Sequence, residues 1–270
     1  MADSDQVRRA LVQKLESLHR SGVRAIPRPT LAPVTESKPV ASAAHKDVPA
    51  AAAPTRQSTP SPANVSTLSP DVGSFNGPPM PAADRADALR VLSEEVSNCT
   101  LCADLAEKRK QTVFGVGDPN AKLVFFGEAP GADEDRLGEP FVGKAGQLLT
   151  KIIEACQLKR EDVYILNVLK CRPPGNRNPT PNEAKNCRPF FEKQLEILRP
   201  EMICCLGSIA ATTLLDTTMS VGRLRGKFHD WRGIQVAVTY HPSYLLRNPA
   251  AKKMAWTDMK MIMKQLGVKL

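Results

Sequence analysis

Four short apolar runs set the framework of the chain, at residues 122–127, 163–170, 202–206 and 235–240. Each is nearly continuous and bounded by glycine, proline or charge, the pattern of strands covered on both faces. Segments with helical spacing of apolar residues precede and alternate with them, at 84–96, 145–156, 181–198, 209–215 and 250–266. Alternation of strand and helix predicts a parallel sheet with helices on both sides. The expected fold class is therefore α/β, a three-layer α/β/α sandwich around a central four-stranded parallel sheet. Ligands in such folds bind beyond the carboxyl ends of the strands. That rule directs attention to the residues after Phe126, around Asn167, after Leu206 and after Tyr240.

The first third of the chain has a different texture. Between Gln6 and Ser21, Val7, Leu11, Leu15 and Leu18 recur at helical spacing beside Arg8, Arg9, Lys14 and Arg20. This predicts a short amphipathic helix within 1–25, too short to be stable alone, which either docks on a protein partner or lies weakly on the domain. Residues 27–81 hold 12 of the 23 prolines and few large apolar side chains. Such a stretch cannot bury enough surface to offset its ordering entropy, so 26–84 is expected to be a disordered linker and 85–270 the folded domain. The net charge is +9, and 28 basic against 21 acidic residues fall in 85–270. A basic globular domain favours polyanions such as nucleic acid. No run is apolar enough to span a bilayer and the start lacks a secretory pattern, so a cytoplasmic protein without a membrane partner is expected. Seven cysteines in such a chain favour metal ligands and buried thiols over disulfides.

Candidate chemistry gathers at the strand ends. Gly127-Glu128-Ala129-Pro130-Gly131 follows the first strand, a turn that lets the backbone approach a ligand and delivers Glu128 to the sheet edge. It has neither P-loop nor dinucleotide spacing, which disfavours a nucleotide cofactor. Phe141, in Pro140-Phe141-Val142-Gly143, is a core contact or a stacking platform for a planar base. Asn167 interrupts an apolar strand, and its amide can meet both a donor and an acceptor on a pyrimidine edge. His241, before Pro242-Ser243-Tyr244-Leu245-Leu246-Arg247, is the only histidine at an expected site edge, with His229 placed in a turn. The Tyr-Leu-Leu after it could wedge into a duplex. Cys99-Thr100-Leu101-Cys102 is a tight pair, whereas Cys171 and Cys187 stand 15 residues apart. Spacing alone leaves zinc and an iron–sulfur cluster open. Cys156, Cys204 and Cys205 fit buried apolar positions better than ligands.

Together these motifs resemble family 4 uracil-DNA glycosylases, the iron–sulfur branch of the uracil glycosylase superfamily. The resemblance runs from about Val96 to Leu266. It rests on the tight cysteine pair, Gly127-Glu128-Ala129-Pro130-Gly131 with Glu134-Asp135, Pro140-Phe141-Val142-Gly143, and Asn167-Val168-Leu169-Lys170-Cys171-Arg172-Pro173-Pro174. Asn178-Pro179-Thr180-Pro181, Cys187 and His241-Pro242 complete it. It implies that Cys99, Cys102, Cys171 and Cys187 bind a [4Fe-4S] cluster. It further implies that Phe141 stacks on an extruded uracil, Asn167 reads its polar edge, and His241 stabilises charge on the departing base. Gly127, Glu128 and Ala129 would line the same pocket.

The activity so implied is that of a monofunctional uracil-DNA glycosylase in base excision repair. It would flip uracil out of single- or double-stranded DNA and hydrolyse the N-glycosidic bond to leave an abasic site. In family 1 an aspartate stands where this chain has Ala129, so Glu128 becomes the candidate for activating water. The covalent uracil-trapping branch shares the early motifs but needs a reactive histidine that 170–175 does not contain. The rival of another class is a non-catalytic DNA-binding or polymerase-associated iron–sulfur module.

Overall fold

The computed structural model describes Phe75 and residues 77–270. The helix expected within 1–25 and most of the 26–84 segment lie outside the described residues. The part of that segment that is described packs on the domain. The Phe75 ring stands edge-on to Trp231 at 5.5 Å, with the Arg199 guanidinium 4.4 Å from its centroid. Arg85 donates to the carbonyls of Met80 and Leu198, tying this entry to the far end of a long helix. A single phenylalanine among prolines supplies the anchor that average composition hides.

Six strands form one sheet in the order β1 (Val116–Gly117), β3 (Tyr164–Asn167), β2 (Leu123–Gly127), β4 (Met202–Leu206), β6 (Ile234–Thr239), β5 (Phe228–Trp231). The central four, β3-β2-β4-β6, are parallel, as their buried runs lead one to expect. Side chains alternate strictly between two cores. Val124, Phe126, Ile203, Cys205, Val236 and Val238 face α1 (Ala82–Ser97), α5 (Pro181–Leu198) and α6 (Ser208–Leu214). Leu123, Phe125, Met202, Cys204 and Ala237 face α4 (Lys144–Ala155) and α9 (Lys252–Gln265). This period of two on both faces produces the three layers.

The edges extend the four parallel strands to six. β1 pairs antiparallel with β3, and β5 pairs antiparallel with β6. β1 has only two residues, and β5 is half-exposed with polar His229 and Asp230 at its centre, so neither shows a buried apolar run. β5 and β6 are joined by Arg232-Gly233, both at positive φ, the geometry of a two-residue hairpin turn. His229 accordingly lies in β5, where its Nε2 meets the Leu224 carbonyl at 2.8 Å, and not in a turn. Short helices α2 (Ala103–Lys108), α3 (Ala132–Leu137), α7 (Val221–Leu224) and α8 (Pro242–Arg247) occupy segments too short to show a periodic apolar pattern. Among the described residues no helix is long and apolar enough to cross a membrane.

Candidate active site

The sheet register sets the site. Gly127 ends β2 directly opposite Asn167 at the end of β3, and His241 follows the end of β6 as the residue capping α8. A cavity of about 450 Å³ opens there, lined by Glu128, Ala129, Glu134, Phe141, Asn167 and His241 among others. Every side chain expected at the site from sequence is thus brought to one cavity. Gly127 belongs to its wall in another sense. A Cβ there would fall 2.2 Å from Asn167 Oδ1 and 2.5 Å from the Phe141 ring, so only glycine lets these two groups converge.

Phe141 is buried, at 6% exposure, with φ of +56°, a left-handed backbone that a bulky residue adopts only when its surroundings impose it. The imposing group is Glu134, on α3. Its Oε1 accepts from the backbone N–H of Val142 and Gly143, each at 2.9 Å, and its Oε2 from Gly131 N–H at 3.0 Å. One carboxylate therefore joins the turn after β2 to the Phe141 loop. Arg160 supports the same loop from behind by donating to the Pro140 carbonyl. The Phe141 ring faces His241, with centroids 5.6 Å apart.

Asn167 is 1% exposed, yet its Oδ1 has no hydrogen-bond partner in the structure. An orphaned buried amide oxygen costs roughly 1–3 kcal/mol, and at a cavity wall it marks a place for a ligand's N–H. His241 is similarly poised. Its Nδ1 accepts the Ser243 backbone N–H at 3.1 Å and lies 2.8 Å from the Ser243 hydroxyl. A ring nitrogen that accepts a backbone N–H carries a lone pair, so in the neutral ring the proton sits on Nε2. Burial, aided by Arg247 and opposed by Glu134, pushes the imidazole pKa down to about 4. The site thus offers a neutral N–H donor. Burial raises the Glu128 carboxyl above its ordinary value, the direction that suits a group accepting a proton.

The rim is polar and cationic. Arg177 is held by a bidentate pair with Glu183, at 2.7 and 2.8 Å, and that guanidinium keeps the Glu183 carboxyl down at about 2. Arg247 and Tyr244 stand at the same mouth. The run expected to act as a wedge is split by the turn of α8. Leu245 is 1% exposed, whereas Tyr244 and Leu246 point outward at 39% and 44%.

The four cysteines singled out by sequence lie in one region. Cys171 and Cys187 belong to the core beneath α1 and α5, and Cys99 and Cys102 pack against it. All are free thiols. Arg109 donates to Cys171 Sγ at 3.1 Å and Asn186 to Cys102 Sγ at 3.4 Å. Burial pushes the Cys187 thiol up to about 11. Among the described residues no group of three or more Cys, His, Asp or Glu is arranged to hold a single metal ion. Cys156, Cys204 and Cys205 are fully buried among apolar side chains. Sequence reasoning had no signal for the three-way clamp by Glu134, whose backbone partners are spread from 131 to 143, nor for the role of Ser243 in fixing a tautomer.

Comparison with known proteins adds a second line. Residues 114–260 match the family described as the uracil DNA glycosylase superfamily. The chain is 46% identical over 166 residues to the type-4 uracil-DNA glycosylase of Thermotoga maritima, covering 61% of this chain and 86% of that protein. It is 43% identical over 193 residues to the type-4 uracil-DNA glycosylase of Archaeoglobus fulgidus, covering 68% and 96%. With the type-4 uracil-DNA glycosylase of Saccharolobus solfataricus it shares 42% identity over 192 residues, covering 68% and 88%.

Proposed function

The chain belongs to the uracil DNA glycosylase superfamily, within which it is similar to the type-4 enzymes, and from that premise we propose that it extrudes uracil from DNA and hydrolyses the N-glycosidic bond. The observation that carries the reading is the convergence of an orphaned Asn167 Oδ1, a neutral His241 donor and the Phe141 ring in one cavity. Uracil presents the complementary set: an N3–H for the amide oxygen, carbonyl oxygens for donors, and a planar face for the ring. Extruding it costs roughly a few kcal/mol, which stacking and these contacts offset. As the bond to the sugar breaks, negative charge grows on the base. A preorganised Nε2–H aimed at a base oxygen then binds the transition state more tightly than the ground state.

Glu128 is the group that activates or positions water, since its raised pKa and its place at the cavity wall suit that work and Ala129 carries no functional group. Glu128→Ala is expected to lower the single-turnover rate about 10²-fold, the lower end of general-base contributions; an unchanged rate removes Glu128 from the mechanism. No lysine lines the cavity among the described residues, which supports a monofunctional enzyme that leaves an abasic site uncut.

Cys99, Cys102, Cys171 and Cys187 fit a [4Fe-4S] cluster. They are four free thiols in one region, with N–H donors aimed at two of the sulfurs. When bound, such a cluster would supply structure, joining the start of α2 and helix α5 to the loop after β3. The decisive experiment is a uracil-release assay on defined oligonucleotides beside a visible absorption spectrum. Free uracil, no strand scission, no borohydride-trapped adduct and an iron–sulfur absorption band are expected. Intact uracil-DNA with bound protein would support a non-catalytic module instead.

A further inference from the structure

Tyr240 and Tyr244 stand beside the base-holding groups without being needed by them. Their rings are stacked, with centroids 5.0 Å apart and 22° between planes. The pair has a rigid foundation. The Arg225 guanidinium lies over the Tyr240 ring at 5.5 Å, and Arg225 is locked to Asp258 by two hydrogen bonds of 3.0 and 2.8 Å. Asp258 is itself fully buried and accepts from the Thr239 hydroxyl at 2.8 Å. The more exposed ring of this braced assembly is that of Tyr244, which lines the cavity and remains 39% exposed. Leu245, its neighbour in sequence, is turned into an apolar cluster with Ala251 and Ala255.

A planar aromatic held in place at the mouth of a base-binding cavity pre-forms a stacking surface, because little side-chain freedom is left to lose on binding. The cavity, at about 450 Å³, falls within the range of about 300–1,000 Å³ that suits drug-sized ligands, more than one pyrimidine ring occupies. Extrusion of a nucleotide also strips its neighbour of a stacking partner, exposing one base face next to the site.

Building on the reading of the cavity as a uracil site, we propose that Tyr244, backed by Tyr240, is the stacking subsite for the nucleobase adjacent to the extruded uracil on the same strand. The contact is sequence-tolerant, since every base has a π-face, and it acts on binding and not on bond cleavage.

The test compares single-stranded oligonucleotides carrying uracil between ordinary bases with matched ones in which the 5′ or the 3′ neighbour is an abasic spacer. For the wild-type protein, one of the two spacers should raise KM about tenfold, the order expected for one lost base–aromatic stack. Tyr244→Ala should raise KM by a similar factor on the ordinary oligonucleotide, leave kcat within about twofold, and respond no further to the spacer. Tyr244→Phe, which keeps the ring, should restore both KM and spacer sensitivity. The proposal is overturned if Tyr244→Ala keeps the wild-type KM, if its KM penalty is undiminished on both spacer substrates, or if kcat falls with KM unchanged. Failure of the underlying reading looks different: the wild-type protein would release uracil from none of the oligonucleotides.

Discussion

Replacing His241 with alanine is expected to lower kcat for uracil release by about 10²–10³-fold with little change in KM, the usual cost of removing one preorganised donor to a developing oxyanion. The size follows from burial, which makes each hydrogen bond in the cavity worth more than in water. The protonation state follows from geometry. Nδ1 is committed to the Ser243 backbone N–H, so a second proton on the ring would have to displace that contact, and burial already holds the pKa at about 4, below the ordinary 6.5. The wild-type rate should therefore show no inflection near 6.5. A rate that falls as pH rises through 6.5, and that fall lost in His241→Ala, would make the imidazolium the working form and overturn the neutral-donor reading. The same group has a signature in stability. Between pH 6.5 and about 4 the unfolded chain takes up a proton on this histidine that the folded protein refuses. Stability from this residue is thus full above 6.5 and falls as pH drops through that window, by up to about 3 kcal/mol. His241→Ala should flatten that part of an acid-denaturation curve.

Much of this site is legible in the amino-acid sequence because its groups sit where the chain pattern changes. Asn167 stands out as a polar side chain interrupting an apolar run. His241 follows the last buried strand, and Glu128 follows the first. A rule about strand ends is enough to gather them. The remainder depends on contacts that no local pattern encodes. β1 and β5 lie at sheet edges, where half-exposure erases the apolar run that betrays a central strand. Glu134 enters the sequence reading only as part of a motif, with no role of its own, yet it is the knot between two loops because three backbone N–H groups find it in space. The outward Tyr244 and inward Leu245 are consecutive residues with similar apolar character. Only the turn of α8 decides which points outward. Phe141 lies between these cases: an aromatic between glycines is a visible oddity, but its left-handed backbone shows that the loop is held under strain at the place where the base would stack.

The second large effect is expected from a single methyl group. Gly127→Ala places a Cβ 2.2 Å from Asn167 Oδ1 and 2.5 and 2.7 Å from two atoms of the Phe141 ring. Neither contact involves backbone, so the fold can survive by swinging those side chains away. They are the two groups proposed to hold uracil, and the cavity they would move into is the one uracil needs. Losing one stack, worth about 1–3 kcal/mol, together with a buried polar contact of similar value should lower kcat/KM by about 10²–10³-fold or more. Tm should fall by less than about 5 °C, because little core packing is lost. Gly146→Ala supplies the contrast. Its Cβ would meet the Phe141 carbonyl oxygen at 1.8 Å and the carbonyl carbon at 1.9 Å, a clash between backbones that no rotamer relieves, so this variant should lose stability along with activity. Melting curves and uracil-release kinetics on both variants separate the two cases. A Gly127→Ala protein with near-normal turnover would mean that Asn167 and Phe141 need not converge on the base, and the proposed mode of recognition would fall with it.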